Sequence, residues 1–253
     1  MGANQSSQIA ASNSRRITPS ICNSKKFIIG IIDVQNDFCK GGKLAIAEAE
    51  EALAAINKLR FIYHDMNTFI SQDWHNKNHM SFAETHKKTP HTGPEKLALA
   101  MEDGSVINVE QMMWPRHCVE NTVGSRLHNE LITTENDIMI KKGTKQNVES
   151  YSAFGDEFEG KYENTKLHEK LQALKITDII LTGIASDYCV YNTGLDAVRL
   201  GYKVHLILSC TRGVAKATTD KAITDLKSKG VTTYRNVNEF YETNKSAIIG
   251  KYI

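Results

Sequence analysis

The order of apolar segments predicts an α/β fold: a doubly wound (Rossmann-like) parallel sheet of about six strands flanked by helices, in a single domain. Three observations point to it. Several short runs are apolar at nearly every position, the pattern of strands buried on both faces rather than one. Segments with helical spacing fall between those runs. Chemically capable side chains stand at the ends of four runs, on the sheet edge where such folds hold their ligands.

Phe27-Ile28-Ile29-Gly30-Ile31-Ile32 is the first strand, apolar and rich in β-branched residues. Residues 45–59 place Ile46, Ala49, Leu53, Ile56 and Leu59 at helical spacing, with Glu48, Glu50 and Glu51 among them, and predict the first helix. Thr68-Phe69-Ile70-Ser71 reads as the second strand, Asp137-Ile138-Met139-Ile140-Lys141 as the third and Ile179-Ile180-Leu181 as the fourth. The segment from Cys189 to about Leu200 is helical, so Cys189 falls in its first turn. Residues 202–208 form a fifth strand, 216–229 a helix closed by Gly230, and 231–234 the last strand. No internal repeat interrupts this alternation.

A chain of 253 residues is long enough to bury a sizeable core as one domain, here residues 25–253. Its 41% hydrophobic and 24% charged content is that of an ordinary globular protein. A net charge of +2 gives no basis for binding nucleic acid or an anionic membrane. No apolar run approaches the roughly 20 residues that span a bilayer. The five cysteines are scattered, odd in number and preceded by no secretory leader, which predicts a reducing compartment, the cytoplasm or alternatively the nucleus, rather than a disulfide framework. Residues 1–24 are rich in Ser, Asn and Gln and are expected to be disordered. They open Met1-Gly2-Ala3-Asn4-Gln5-Ser6, which fits the N-myristoylation pattern with Gly2 as acceptor. One acyl chain binds only marginally, so at most weak membrane association through Gly2 is expected.

Asp33 ends the first strand, Asp73 follows the second, Lys142 ends the third and Cys189 follows the fourth. A helix start at Cys189 offers free N–H groups and the positive end of a dipole, which favour a thiolate and a developing oxyanion. Asp33, Lys142 and Cys189 together supply an acid/base carboxylate, a cation and a thiol nucleophile. In Asp73-Trp74-His75 the first and third side chains of an extended segment point the same way. With His117 from Trp114-Pro115-Arg116-His117-Cys118 they make a three-ligand N/O metal site with open positions. His79 and Cys118 are spare ligands, Cys118 being expected to face the core. Each residue alone also has a simpler role: Asp33 capping the turn at Gln35 and Asn36, Lys142 reaching for water, Cys189 as a small buried hydrophobe.

Taken together, Ile32-Asp33-Val34-Gln35-Asn36-Asp37-Phe38, Asp73-Trp74-His75, Trp114 through Cys118, Lys142-Gly143 and Thr182-Gly183-Ile184-Ala185-Ser186-Asp187-Tyr188-Cys189-Val190 resemble the nicotinamidases of the isochorismatase-like cysteine hydrolase superfamily. The resemblance runs from about Lys25 to the C-terminus. It implies hydrolysis of nicotinamide to nicotinate and ammonia through a Cys thioester, the first step in recycling nicotinamide to NAD. It implies an Asp33–Lys142–Cys189 triad, an oxyanion hole from the N–H groups of Ala185 and Cys189, and a cis peptide at Ile184-Ala185. It also implies one divalent metal ion on Asp73, His75 and His117, zinc foremost, with iron and manganese as alternatives. Phe38, Trp114 and Tyr151 are the expected aromatic walls around the substrate, Tyr151 being placed only by its distance after Lys142.

The chain departs from the pattern in places. Some relatives have an extra metal ligand, a role for which His79 is a candidate. Residues 83–113 are longer than in compact bacterial relatives and resemble a eukaryotic insertion, a candidate lid or subunit contact that leaves a homo-oligomer open. Ser209-Cys210-Thr211 stands where many relatives have an acidic residue. Two rival readings remain at this stage: a related cysteine amidohydrolase for another small amide or ureido compound, and a catalytically silent binding or signalling protein tethered through Gly2.

Overall fold

In chain order the computed structural model contains β1 (Phe27–Ile32), α1 (Ala49–Ile62), β2 (Thr68–Asp73), β3 (Thr92–Ala100), β4 (Val106–Met113), β5 (Ile138–Lys142), α2 (Leu167–Ala173), β6 (Asp178–Ile184), α3 (Cys189–Arg199), β7 (Lys203–Arg212), α4 (Lys216–Ser228), β8 (Thr232–Tyr234) and α5 (Val237–Ile249). The structure describes residues 25–156, 161 and 163–249. The expected disordered segment 1–24 and the Gly2 lipidation signal lie outside them.

Six strands form one sheet in the order β5-β2-β1-β6-β7-β8, and every neighbouring pair is parallel. The all-apolar strands follow from what lies on each face. Ile28 and Ile32 of β1 pack with Ile179 and Leu181 of β6 against Leu167 and Leu171 of α2, Val190 and Ala197 of α3 and Leu226 of α4. Phe27, Ile29 and Ile31 point the other way, with Ile70 and Ile180, onto Leu53, Ile56 and Leu59 of α1 and Phe240 of α5. Successive residues thus enter opposite helical layers, and neither face of the central strands meets water.

The chain winds outward from β1 through β2 to β5, then returns to β6 on the other side of β1. The order therefore reverses between β1 and β6, which opens a crevice beyond their carboxyl ends. Asp33 follows β1 and Cys189 follows β6, so both stand at that crevice.

Differences from the sequence reading have physical causes. The first helix begins at Ala49, after Glu48 in the left-handed region (φ 60°), rather than at residue 45. Residues before it fold back instead, the N–H of Leu44 bonding the carbonyl of Asp37 and that of Ile46 the carbonyl of Phe38. Within residues 83–113 lies an antiparallel hairpin, β3–β4, separate from the main sheet, whose Leu99 and Val109 pack on Met80. Helices α2 and α5 were unassigned from sequence. Strand β7 runs on through Ser209, Cys210 and Thr211 to Arg212, past a register shift opposite Gly183. No helix among the described residues is long and apolar enough to cross a membrane.

At the sheet's centre Gly30 is paired with Phe69, whose ring covers the space a side chain would take: a Cβ on Gly30 would lie 2.5 Å from the ring's Cζ. Gly30 and Phe69 should accordingly behave as one packing unit. Phe69→Ala should cost about 3–5 kcal/mol and lower the Tm by on the order of 10 °C. Gly30→Ala, which forces the ring aside, should also lower the Tm; thermal unfolding of Gly30→Ala at the wild-type temperature would contradict this packing.

Candidate active site

Two side chains in the turn after β1 hold the loops around the crevice. Gln35 clamps the end of β2: its Oε1 accepts from the Asp73 N–H at 2.9 Å, and its Nε2 donates to the carbonyls of Asp73 (2.8 Å) and Ser125 (2.9 Å). Buried Asp37 accepts from the Cys118 N–H at 2.7 Å and so fixes the segment that carries His117. These bonds explain why polar residues recur at alternate positions after Asp33.

Lys142 is fully buried at the end of β5, and its ammonium reaches across the end of β2. Nζ lies 2.5 Å from Asp73 Oδ1, 3.0 Å from Asp33 Oδ2, 3.0 Å from the Ser150 carbonyl and 3.3 Å from Cys189 Sγ. The Asp33 contact is a buried ion pair through Oδ2, while Oδ1 accepts from Ser71 Oγ at 2.7 Å. An oxygen of Asp33, an oxygen of Asp73 and Cys189 Sγ all lie within 4.8 Å of one another.

Burial and charge compete at each of these groups. Burial favours a neutral Lys142, but Asp33 and Asp73 outweigh it and hold its pKa well above the ordinary lysine value. Burial raises Asp33 to about 6 against the pull of Lys142. Asp73 stays far below the ordinary carboxylate range despite its burial, because Lys142 and then His75 favour its charge. Cys189 goes the other way: burial lifts its thiol well above the ordinary value, beyond what Lys142 takes back. Cys189 does open α3, as the sequence indicates, and burial there opposes the thiolate that a helix start favours. Among the described residues, the N–H groups of Ala185 and Cys189 donate to no protein acceptor in this turn, and the Ile184-Ala185 peptide is cis.

Asp73 also faces the two imidazoles. Its Oδ2 is 3.5 Å from His75 Nε2 and 3.8 Å from His117 Nε2. The other ring nitrogens meet carbonyls, His75 Nδ1 with Gly143 at 2.9 Å and His117 Nδ1 with Pro115 at 2.8 Å. Carbonyls only accept, so both Nδ1 atoms carry the proton when the rings are neutral and both Nε2 atoms present a lone pair. This is how metal-binding histidines are oriented, and one ligand atom each from Asp73, His75 and His117 lie within 4.8 Å of one another. Gly143 makes room for this: its φ is 60°, and a Cβ there would lie 2.5 Å from His75 Cε1. Burial would lower His75, but Asp73 raises it to about 9, whereas burial and then His75 bring His117 down to about 4.

His79 stacks on His75 at 4.1 Å, but its Nδ1 meets Ser81 Oγ and its Nε2 the Val148 carbonyl. Both its nitrogens are engaged, although His75, His79 and Glu149 also form a cluster with ligand spacing. Cys118 is fully buried, with Sγ 3.9 Å from the Gly124 carbonyl, as expected of a residue facing the core.

The crevice above Cys189 is walled by Phe38, Leu44, Ile46, Trp114, Tyr151, Tyr188 and Val214, with Asp73, His117 and Glu149 at its polar end. All three aromatics named from sequence are there. Tyr188 was missed, although it adjoins Cys189; it meets Trp114 edge-on at 4.8 Å. Glu149, whose carboxyl is raised by burial, carried no signal in the sequence. A wider cleft among Lys25, His168, Asp178 and Lys203 lies at the opposite end of the strands.

Residues 27–236 match the family model of the Isochorismatase domain. The nicotinamidase of Escherichia coli (strain K12) is 37% identical over 208 residues, covering 81% of this chain and 92% of the relative. The yeast nicotinamidase Pnc1p bound to the inhibitor nicotinaldehyde superposes with a TM-score of 0.74 at 28% identity, over 82% of this chain and 98% of that one. The pyrazinamidase of Pyrococcus horikoshii in complex with zinc gives 0.66 at 26% identity, over 83% and 98%. With its parallel sheet matched from β1 through β8, this chain belongs to the isochorismatase family.

Proposed function

We propose that this protein is a nicotinamidase, hydrolysing nicotinamide to nicotinate and ammonia through a thioester on Cys189. The observation that carries the reading is the sharing of one buried ammonium, Lys142, by Asp33, Asp73 and Cys189, with His75 and His117 beyond Asp73. The relatives named above support the substrate class.

Asp33 takes the proton of Cys189, which moves negative charge from one side of Lys142 to the other without adding net charge to the buried site. The thiolate attacks the carboxamide carbon, and the oxyanion is received by the N–H groups of Ala185 and Cys189. The protonated Asp33 gives its proton to the departing nitrogen, ammonia leaves, and an acyl thioester remains on Cys189. Asp33 then deprotonates water as it adds to the thioester carbon; collapse yields the carboxylic acid, Asp33 returns its proton to the sulfur, and the acid gives its own proton to solvent to become the carboxylate. A divalent ion on Asp73, His75 and His117, zinc foremost, would bind and orient the ring nitrogen of the substrate. Phe38, Trp114, Tyr151 and Tyr188 flank the ring.

The same reading assigns the protein to the recycling of nicotinamide toward NAD, in the cytoplasm or nucleus. Free buried thiols at Cys39, Cys118, Cys189 and Cys210 support a reducing compartment.

Ammonia release measured side by side on nicotinamide, pyrazinamide, benzamide and carbamoyl compounds tests the substrate. Nicotinamide should exceed benzamide, which lacks a ring nitrogen, by on the order of 100-fold in kcat/KM. Equal rates on these two would remove ring-nitrogen recognition, and preference for a carbamoyl compound would replace the substrate. Cys189→Ala should lose roughly a thousandfold or more in kcat while binding nicotinate; near wild-type turnover would rule out the thioester. The base must be ionised to accept the thiol proton, so kcat/KM should fall as pH drops and Asp33, raised to about 6, becomes protonated. A flat acid limb down to about pH 4, near an ordinary carboxylate, would contradict a raised Asp33.

A further inference from the structure

The β3–β4 hairpin bonds a residue of the crevice wall through Gln111. Gln111 of β4 is only 3% exposed, and its Nε2 donates both to the Met112 carbonyl at 2.9 Å and to the Tyr151 hydroxyl at 2.9 Å. The Met112 carbonyl can only accept, which fixes the amide's orientation: its nitrogen, not its oxygen, faces Tyr151. Trp114 Nε1 donates to the same phenol oxygen at 3.1 Å. A phenol has two acceptor positions and one O–H. Two N–H donors fill the acceptor positions, so the hydroxyl hydrogen must point elsewhere. Among the described residues it meets no acceptor, and Tyr151 lines the crevice beside Glu149 and Cys189.

We propose that Gln111 is a positioning residue for the substrate pocket: with Trp114 it fixes Tyr151 as a hydrogen-bond donor directed at an acceptor atom of the bound ligand. The inference rests on the nicotinamidase reading and deepens it. Without Gln111 the phenol can rotate its hydrogen outward and spend a lone pair on the crevice instead, so an acceptor on the ligand loses its partner. The hairpin thereby acts on substrate recognition at a distance from Cys189, and Gln111 touches no reacting atom. A purely structural Gln111, tying the hairpin to the loop after β5, would act without the Tyr151 hydroxyl.

A double-mutant cycle separates the two roles. Gln111→Met keeps the volume and removes the donor; it is measured in wild type and in Tyr151→Phe, with KM and kcat for nicotinamide and the Tm of each protein. In the wild-type background KM should rise about tenfold while kcat stays within about threefold, as for loss of one oriented hydrogen bond. In the Tyr151→Phe background the same substitution should change KM by less than about twofold. An equal rise in both backgrounds, or none in wild type, overturns the proposal. Should Gln111→Met not fold, Gln111→Asn, which withdraws the amide by one methylene, must show the same background dependence. A wild type inert toward nicotinamide would overturn the activity on which the inference rests, whereas an active wild type with an additive cycle overturns the inference alone.

Discussion

One buried cation organises this site. Lys142 sits at full burial with Asp33, Asp73, the Ser150 carbonyl and Cys189 around its ammonium. An ion of this kind is tolerable only with charged partners and satisfied donors, and removing a partner leaves a costly uncompensated charge. The arrangement therefore constrains everything near it. Asp33 and Asp73 must come from the ends of adjacent strands, and β5 must lie next to β2 for Lys142 to reach across. The strand order supplies those neighbours, and the reversal between β1 and β6 brings Cys189 in from the other side.

Asp73 links the two halves of the site. One of its oxygens holds Lys142 and the other faces His75 and His117. A change at the histidines is thereby felt at the ammonium through a single carboxylate. The second tier repeats the logic with neutral groups: Gln35 holds the backbone of Asp73, Ser71 orients Asp33, and the Gly143 carbonyl turns His75. Much of the sequence motif around Asp33 is thus support for neighbouring strands.

The central strands were legible because burial on both faces leaves an unbroken apolar run, as in Phe27 to Ile32. The cluster of Asp33, Asp73, Lys142 and Cys189 was legible because each terminates or follows such a run. Helix α2 escaped notice because it is seven residues long and buries only Leu167 and Leu171. The hairpin had a period-two signal in Leu97, Leu99, Ile107 and Val109, but its apolar face is narrow and its partner, Met80, is distant in sequence. The helix start at Cys189 was legible, whereas the burial that raises its thiol is a property of the whole fold. Tyr188, Glu149 and the Gln111–Tyr151 bond likewise depend on loops converging in space.

The central claim is that the Lys142-centred cluster performs acyl transfer on the sulfur of Cys189. Its most direct test is the mass of the protein quenched in acid during turnover of nicotinamide, followed by peptide mapping. The account predicts a nicotinoyl group on the peptide containing Cys189, present in wild type and absent after the substrate is exhausted. Rapid turnover with acylation of a different residue would contradict it.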